Sequence, residues 1–119
     1  MDRKTLPPKA VLDVEGALKR FGGDEELLAD MIGFLVEDAP PLVTKLQAAI
    51  EAQDAEAAQR AAHAVKGLIL GCGGVRAGQV AQRVEDAAAR GDLEEVGALA
   101  PILVAEVDQL LEATLPYRA

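Results

Sequence analysis

The stretch AEAAQRAAHAVKGLILGCGG, residues 55–74, decides how the rest of the chain is read. With Val65 taken as zero and about 100° of rotation per residue, Ala58, Ala61, Ala62, Leu68, Ile69 and Cys72 fall within about 60° of it. That is one apolar stripe on an amphipathic helix. Asp54 offers an N-cap oxygen just before the stretch, and Gly71-Cys72-Gly73-Gly74 offers a glycine-rich stop after it. The spacing predicts a helix over about residues 55–71. His63, the only histidine in the chain, falls about 160° from Val65 and so faces outward.

The same signals repeat on both sides. Downstream, Val75 to Arg90 carries Ala77, Val80, Ala81, Val84, Ala87 and Ala88 on one face; Gly91-Asp92 is a stop followed by a cap, and Leu93 to Leu115 makes a last helix with a kink expected at Pro101. Upstream, Asp13 caps a short helix bearing Leu12, Val14, Ala17, Leu18 and Phe21, which Gly22-Gly23 ends. Asp24 caps the next, with Glu25 and Glu26 favourably placed in its first turn, running to about Asp38. Pro40-Pro41 is expected to break or kink it, while Leu42, Val43, Leu46, Ala49 and Ile50 continue at helical spacing, which leaves open one bent rod. Residues 1–10, with Pro7-Pro8, are expected to be a flexible leader to a helical domain over 11–119.

At 119 residues the chain has room for one domain with its own core. It holds 23 Ala and 16 Leu but one Tyr, two Phe and no Trp, which favours helices packed closely through small side chains. The expected fold is all-α: an antiparallel up-and-down four-helix bundle with an additional short N-terminal helical segment. With 12 Lys and Arg against 20 Asp and Glu, a net charge of −8, there is no basic stripe for nucleic acid. The single Cys excludes an internal disulfide and a Cys-based zinc site. No signal-like segment opens the sequence and no apolar run reaches the ~20 residues of a membrane span, so a cytoplasmic monomer with no membrane partner is expected. The length only just contains the domain, which suggests a free-standing protein, although a piece cut from a larger one would look the same.

Around His63 on the outward face lie Gln59 and Arg60 one turn before, Lys66 and Gly67 one turn after, and Leu70 two turns after. No second His accompanies it, so no metal site is expected. Cys72 lies on the core side and the chain has no serine, which removes Cys/His and Ser/His nucleophilic pairs. Two readings remain: a solvated histidine with no task, or an imidazole that is itself the nucleophile, mostly neutral at physiological pH. Toward a phosphoryl group the second needs little else. Lys66 is placed to steady the added charge, Gly67 leaves room for a partner's loop, and Leu70 with Gln59 offers a docking surface. Arg60, Arg76, Arg83 and Arg90 are candidates for a basic rim, with Arg60 and Lys66 nearest the histidine.

Ala62-His63-Ala64-Val65-Lys66-Gly67, then Gly71-Cys72-Gly73-Gly74, then Val84-Glu85 and Ala88-Ala89-Arg90-Gly91-Asp92, resembles the histidine-phosphotransfer (HPt) domain family. Phe21-Gly22-Gly23-Asp24 with Leu27-Leu28, and Phe34-Leu35 with Glu37-Asp38-Ala39-Pro40, agree with it too, so the likeness spans about residues 11–115. It departs at Leu68-Ile69-Leu70, where the family usually has small residues. The resemblance implies a four-helix bundle acting as a phosphorelay carrier without kinase activity of its own. His63 would accept phosphate from an aspartate of a response-regulator receiver domain, within a pathway headed by a hybrid sensor histidine kinase, and pass it to another receiver. It implies no cofactor of its own, Mg²⁺ sitting in the receiver's acidic pocket. By position Lys66 becomes the cation near the phosphate and Gly67 the contact residue. Glu85 falls where some members hydrogen-bond the imidazole, and spacing leaves Gln82 as a competitor. The other function class is a helical module that docks a receiver or kinase and controls its access without accepting phosphate.

Overall fold

The computed structural model describes residues 8–118, which form helices and short connections with no strand among them. Four helices begin on an aspartate whose carboxylate accepts an otherwise unpaired N–H of the first turn. Asp13 accepts from Gly16 at 3.0 Å to open α1, Val14–Arg20. Asp24 accepts from Leu27 at 3.0 Å to open α2, Glu25–Glu51. Asp54 accepts from Ala57 at 3.0 Å to open α3, Ala55–Gly71, and Asp92 from Glu95 at 3.1 Å to open α5, Leu93–Ala113. Between these last two, α4, Val75–Ala89, starts on Gly74 without a side-chain cap. A 3-10 turn, Leu115–Tyr117, ends the described chain.

Connections of three residues make successive long helices antiparallel. α2 packs on α3, α3 on α4, α4 on α5, and α5 closes back on α2, giving the four-helix bundle, with α1 and the 3-10 turn against α2. Ile32, Leu35, Val65, Ile69, Val84, Val96, Leu103 and Leu110 are fully enclosed at its centre. Residues 1–7 of the expected leader lie outside the described part. Pro8 to Ala10 form a turn tied to the bundle: the Pro8 carbonyl accepts from Val11 and Leu12, and the Ala10 carbonyl from Arg76 at 2.9 Å.

The proline pair does not divide α2. Pro40 and Pro41 lie inside one 27-residue helix. Each lacks an N–H and so leaves a carbonyl of the preceding turn without its helical donor. Both rings lie on the exposed side, while Leu28, Ile32, Leu35 and Ala39 before them and Leu46 and Ala49 after them make one buried stripe. That burial on both sides outweighs the local preference to stop. Pro101 is likewise exposed within a continuous α5.

Small residues set the distance between α3 and α4. Ala58, Ala61 and Ala62 are buried on one, and Ala77, Gly78, Ala81, Ala87 and Ala88 on the other. The register is fixed where Leu70 covers Gly78: a Cβ there would lie 2.4 Å from Leu70 Cδ2. Counting back from that contact, each turn toward the start of α3 matches a turn toward the end of α4, and His63 arrives opposite Glu85.

Two connection residues make opposite predictions. Gly73 has φ +89°, a Cβ there would lie 2.6 Å from the Asp13 carbonyl oxygen, and its own carbonyl accepts from Asp13 N–H at 2.8 Å. Gly73→Ala should therefore cost about 2–4 kcal/mol in urea unfolding, from backbone strain and overlap together. Among the described residues, Gln53 is the non-glycine residue held at positive φ, +54°. Gln53→Gly should raise stability by about 0.5–1 kcal/mol in the same assay.

Candidate functional site

His63 projects from the middle of α3 with 69% of its side chain exposed. The opposite is true of the group that holds it. Glu85, on the facing turn of α4, keeps 15% exposure and brings one carboxylate oxygen to 2.8 Å from His63 Nδ1. Its other oxygen lies 2.6 Å from Lys66 Nζ, itself only 17% exposed. Lys66 also donates to Gln82 Oε1 at 3.1 Å, and Gln82 Nε2 donates to Asp86 Oδ1 at 2.9 Å. Glu85 is thus a bridge between the two α3 residues, and Gln82 and Asp86 extend the network along α4.

Burial pushes the Glu85 carboxyl upward, but hydrogen bonds from Lys66 and His63, with their charges, outweigh it and hold the group below the usual carboxylate range. At neutral pH Glu85 is therefore ionised and can only accept. The hydrogen of their contact must sit on His63 Nδ1. In neutral imidazole the lone pair is then on Nε2, the nitrogen Glu85 does not hold.

Glu85, rather than its competitor Gln82, meets the imidazole, and Gln82 instead braces Lys66. Lys66 reaches the site with its ammonium already engaged by both α4 side chains. Gly67 is exposed, with nothing within 4 Å of where a Cβ would stand. Leu70 stays 42% exposed although it covers Gly78, and its carbonyl accepts from Arg20 at 3.0 Å. Gln59 is half-buried, and Arg60 is exposed along the groove between α2 and α3. Two of the four arginines expected as a basic rim are turned away from the histidine, while Arg60 and Arg83 stay exposed. Arg76 pairs with Glu106 at 3.1 Å and donates to Gln109, and Arg90 pairs with Glu95 at 2.6 Å, so both are spent on contacts with α5. Cys72 is buried, donates to the Met31 carbonyl and has its thiol pushed up to about 11 by burial, against a small opposing effect of Arg20. It is inert packing.

Two participants escaped the sequence reading. Asp86 follows Gln82 by four residues, a spacing that does signal a same-face pair. Arg20 reaches Leu70 from fifty residues away, and no local pattern announces it. Among the described residues no group of three or more His, Cys, Asp or Glu is placed to hold a metal ion, and no helix is long and apolar enough to cross a membrane.

The depressed Glu85 group makes a pH prediction. A carboxyl whose pKa is lower folded than unfolded adds stability above its unfolded pKa, and that stability is lost as pH falls through the folded one. Glu85→Gln should melt below the wild type at pH 7, and the gap should close as the buffer is acidified below the usual carboxylate range. A gap that is constant with pH would mean that the charge on Glu85 contributes nothing.

A family model described as Hpt domain matches residues 30–113, from the second turn of α2 to the last residue of α5. No curated protein and no solved structure matches the chain. The matched segment is most of the sequence and contains the whole His63, Lys66 and Glu85 cluster, so the chain belongs to the Hpt domain family, with the histidine-phosphotransfer role in two-component signalling which that family implies.

Proposed function

We propose that this chain is a phosphorelay carrier: His63 accepts a phosphoryl group from the aspartate of one receiver domain and hands it to another. The observation that carries the reading is the 2.8 Å contact of His63 Nδ1 with an ionised Glu85, on a ring otherwise exposed. It leaves Nε2 as the nucleophile. Its lone pair forms the N–P bond while the P–O bond to the receiver's aspartate breaks and that electron pair returns to the carboxylate. No proton has to leave, because the hydrogen stays on Nδ1, donated to the Glu85 carboxylate, throughout. The phosphorylated ring is cationic, and the anionic Glu85 beside it balances that charge. Onward transfer runs the same step in reverse, with neutral imidazole as the leaving group.

Such a protein is an intermediate and not a kinase. The Mg²⁺ belongs to the receiver's acidic pocket, the initial phosphate comes from a hybrid sensor histidine kinase, and the relay runs in the cytoplasm. Lys66 keeps Glu85 charged and in place, and its own ammonium lies one turn from the ring. The exposed, unobstructed Gly67 gives a receiver loop access to Nε2.

The test is phosphate incorporation from a panel of phosphorylated receiver domains with Mg²⁺. Wild type should acquire acid-labile, base-stable label and His63→Gln none, while both bind the receiver. Binding without labelling of the wild type would instead support a docking module that controls access to its partner.

A further inference from the structure

Lys66, one turn after His63, is held between Glu85 and Gln82 with little of it exposed. Another cation, Arg60, lies on the other side of His63. Arg60 stands one turn before His63, rotated toward α2 by about the angle that Lys66 is rotated toward α4. Together with Lys45 of α2 it lines a groove of about 530 Å³ with Leu42, Ala48, Ala49, Ala52, Ala57 and Ala61. Both cations are exposed, and among the described residues neither forms an ion pair. The groove also contains Asp54, whose carboxylate is occupied in capping α3. Asp38, seven residues before Lys45 and so on the same edge of α2, is exposed and bounds the positive patch.

We propose that Lys45 and Arg60, across the alanine-lined groove between α2 and α3, are the electrostatic docking element of this protein, and that they take an acidic segment of the receiver domain bearing an apolar side chain. The proposal rests on the relay reading of His63. Charge selects the occupant. On a chain of net charge −8, an acidic receiver surface is repelled over most of the molecule and attracted to the groove where unpaired Lys45 faces Arg60, one helical turn from His63. The alanines along the groove leave space for an apolar side chain between them. Lys66 acts inside the site, fixing Glu85, and Arg60 with Lys45 acts on the approach. Division of the two tasks follows from which cations the α4 carboxylate has already claimed.

The experiment is the rate of phosphoryl transfer to His63 from the receiver that labels wild type fastest, at limiting concentration and across a range of salt. Wild type should slow as salt rises. Lys45→Glu with Arg60→Glu should slow transfer about tenfold or more at low salt, flatten the salt dependence and leave saturating turnover much less changed. Lys45→Arg with Arg60→Lys should restore both rate and salt slope, since the charges are kept. Lys9→Glu with Lys19→Glu, exposed changes of the same total charge before and on α1, should leave the slope in place. A wild-type salt slope retained in the Lys45→Glu, Arg60→Glu protein would overturn the docking element while the relay stands. Absence of transfer to wild type from every receiver would overturn the relay reading and this proposal with it.

Discussion

A nearly buried carboxylate shared between an imidazole and an ammonium is the constraint on which the site depends. Glu85 could not remain charged at low exposure without compensation, because desolvation alone would favour the neutral acid. Lys66 at 2.6 Å and His63 at 2.8 Å supply it. Once ionised, Glu85 determines which ring nitrogen carries the hydrogen and therefore which one faces a partner. The chemistry of an exposed residue is thus set by a residue that is almost enclosed.

That arrangement requires α3 and α4 to lie close together and in one register. Alanine and glycine along their contact permit the approach, and Leu70 seated on Gly78 fixes the sliding position. The departure Leu68-Ile69-Leu70 acquires a structural meaning here. Ile69 is enclosed, Leu68 is half-buried, and Leu70 spends part of its surface on Gly78 while the rest stays open on the side of the histidine. Large side chains in that segment of α3 are matched by a missing side chain on α4.

Much of this was legible in the sequence because helix ends and helix faces are local properties. Asp13, Asp24, Asp54 and Asp92 each announced a cap that the structure contains, and the wheel put His63 outside and Val65 inside. Pro40-Pro41 left open whether α2 is one rod or two for a physical reason: proline's cost is local, whereas the stripe from Leu28 to Ala49 that offsets it is tertiary. The choice between Glu85 and Gln82 stayed open because a wheel gives angles within one helix and says nothing of how two helices slide. Arg76 and Arg90 drop out of the basic rim likewise, since their partners Glu106, Gln109 and Glu95 lie on α5, beyond the reach of one helix's pattern.

The central claim is that Glu85 holds the hydrogen of the neutral His63 ring on Nδ1 and leaves Nε2 free. Long-range ¹H–¹⁵N correlation spectra of the imidazole at a pH where the ring is neutral test it directly. The account predicts an Nδ1-protonated ring with Nε2 showing the shift of an unprotonated nitrogen. A ring protonated on Nε2, or an even mixture of the two tautomers, would contradict it.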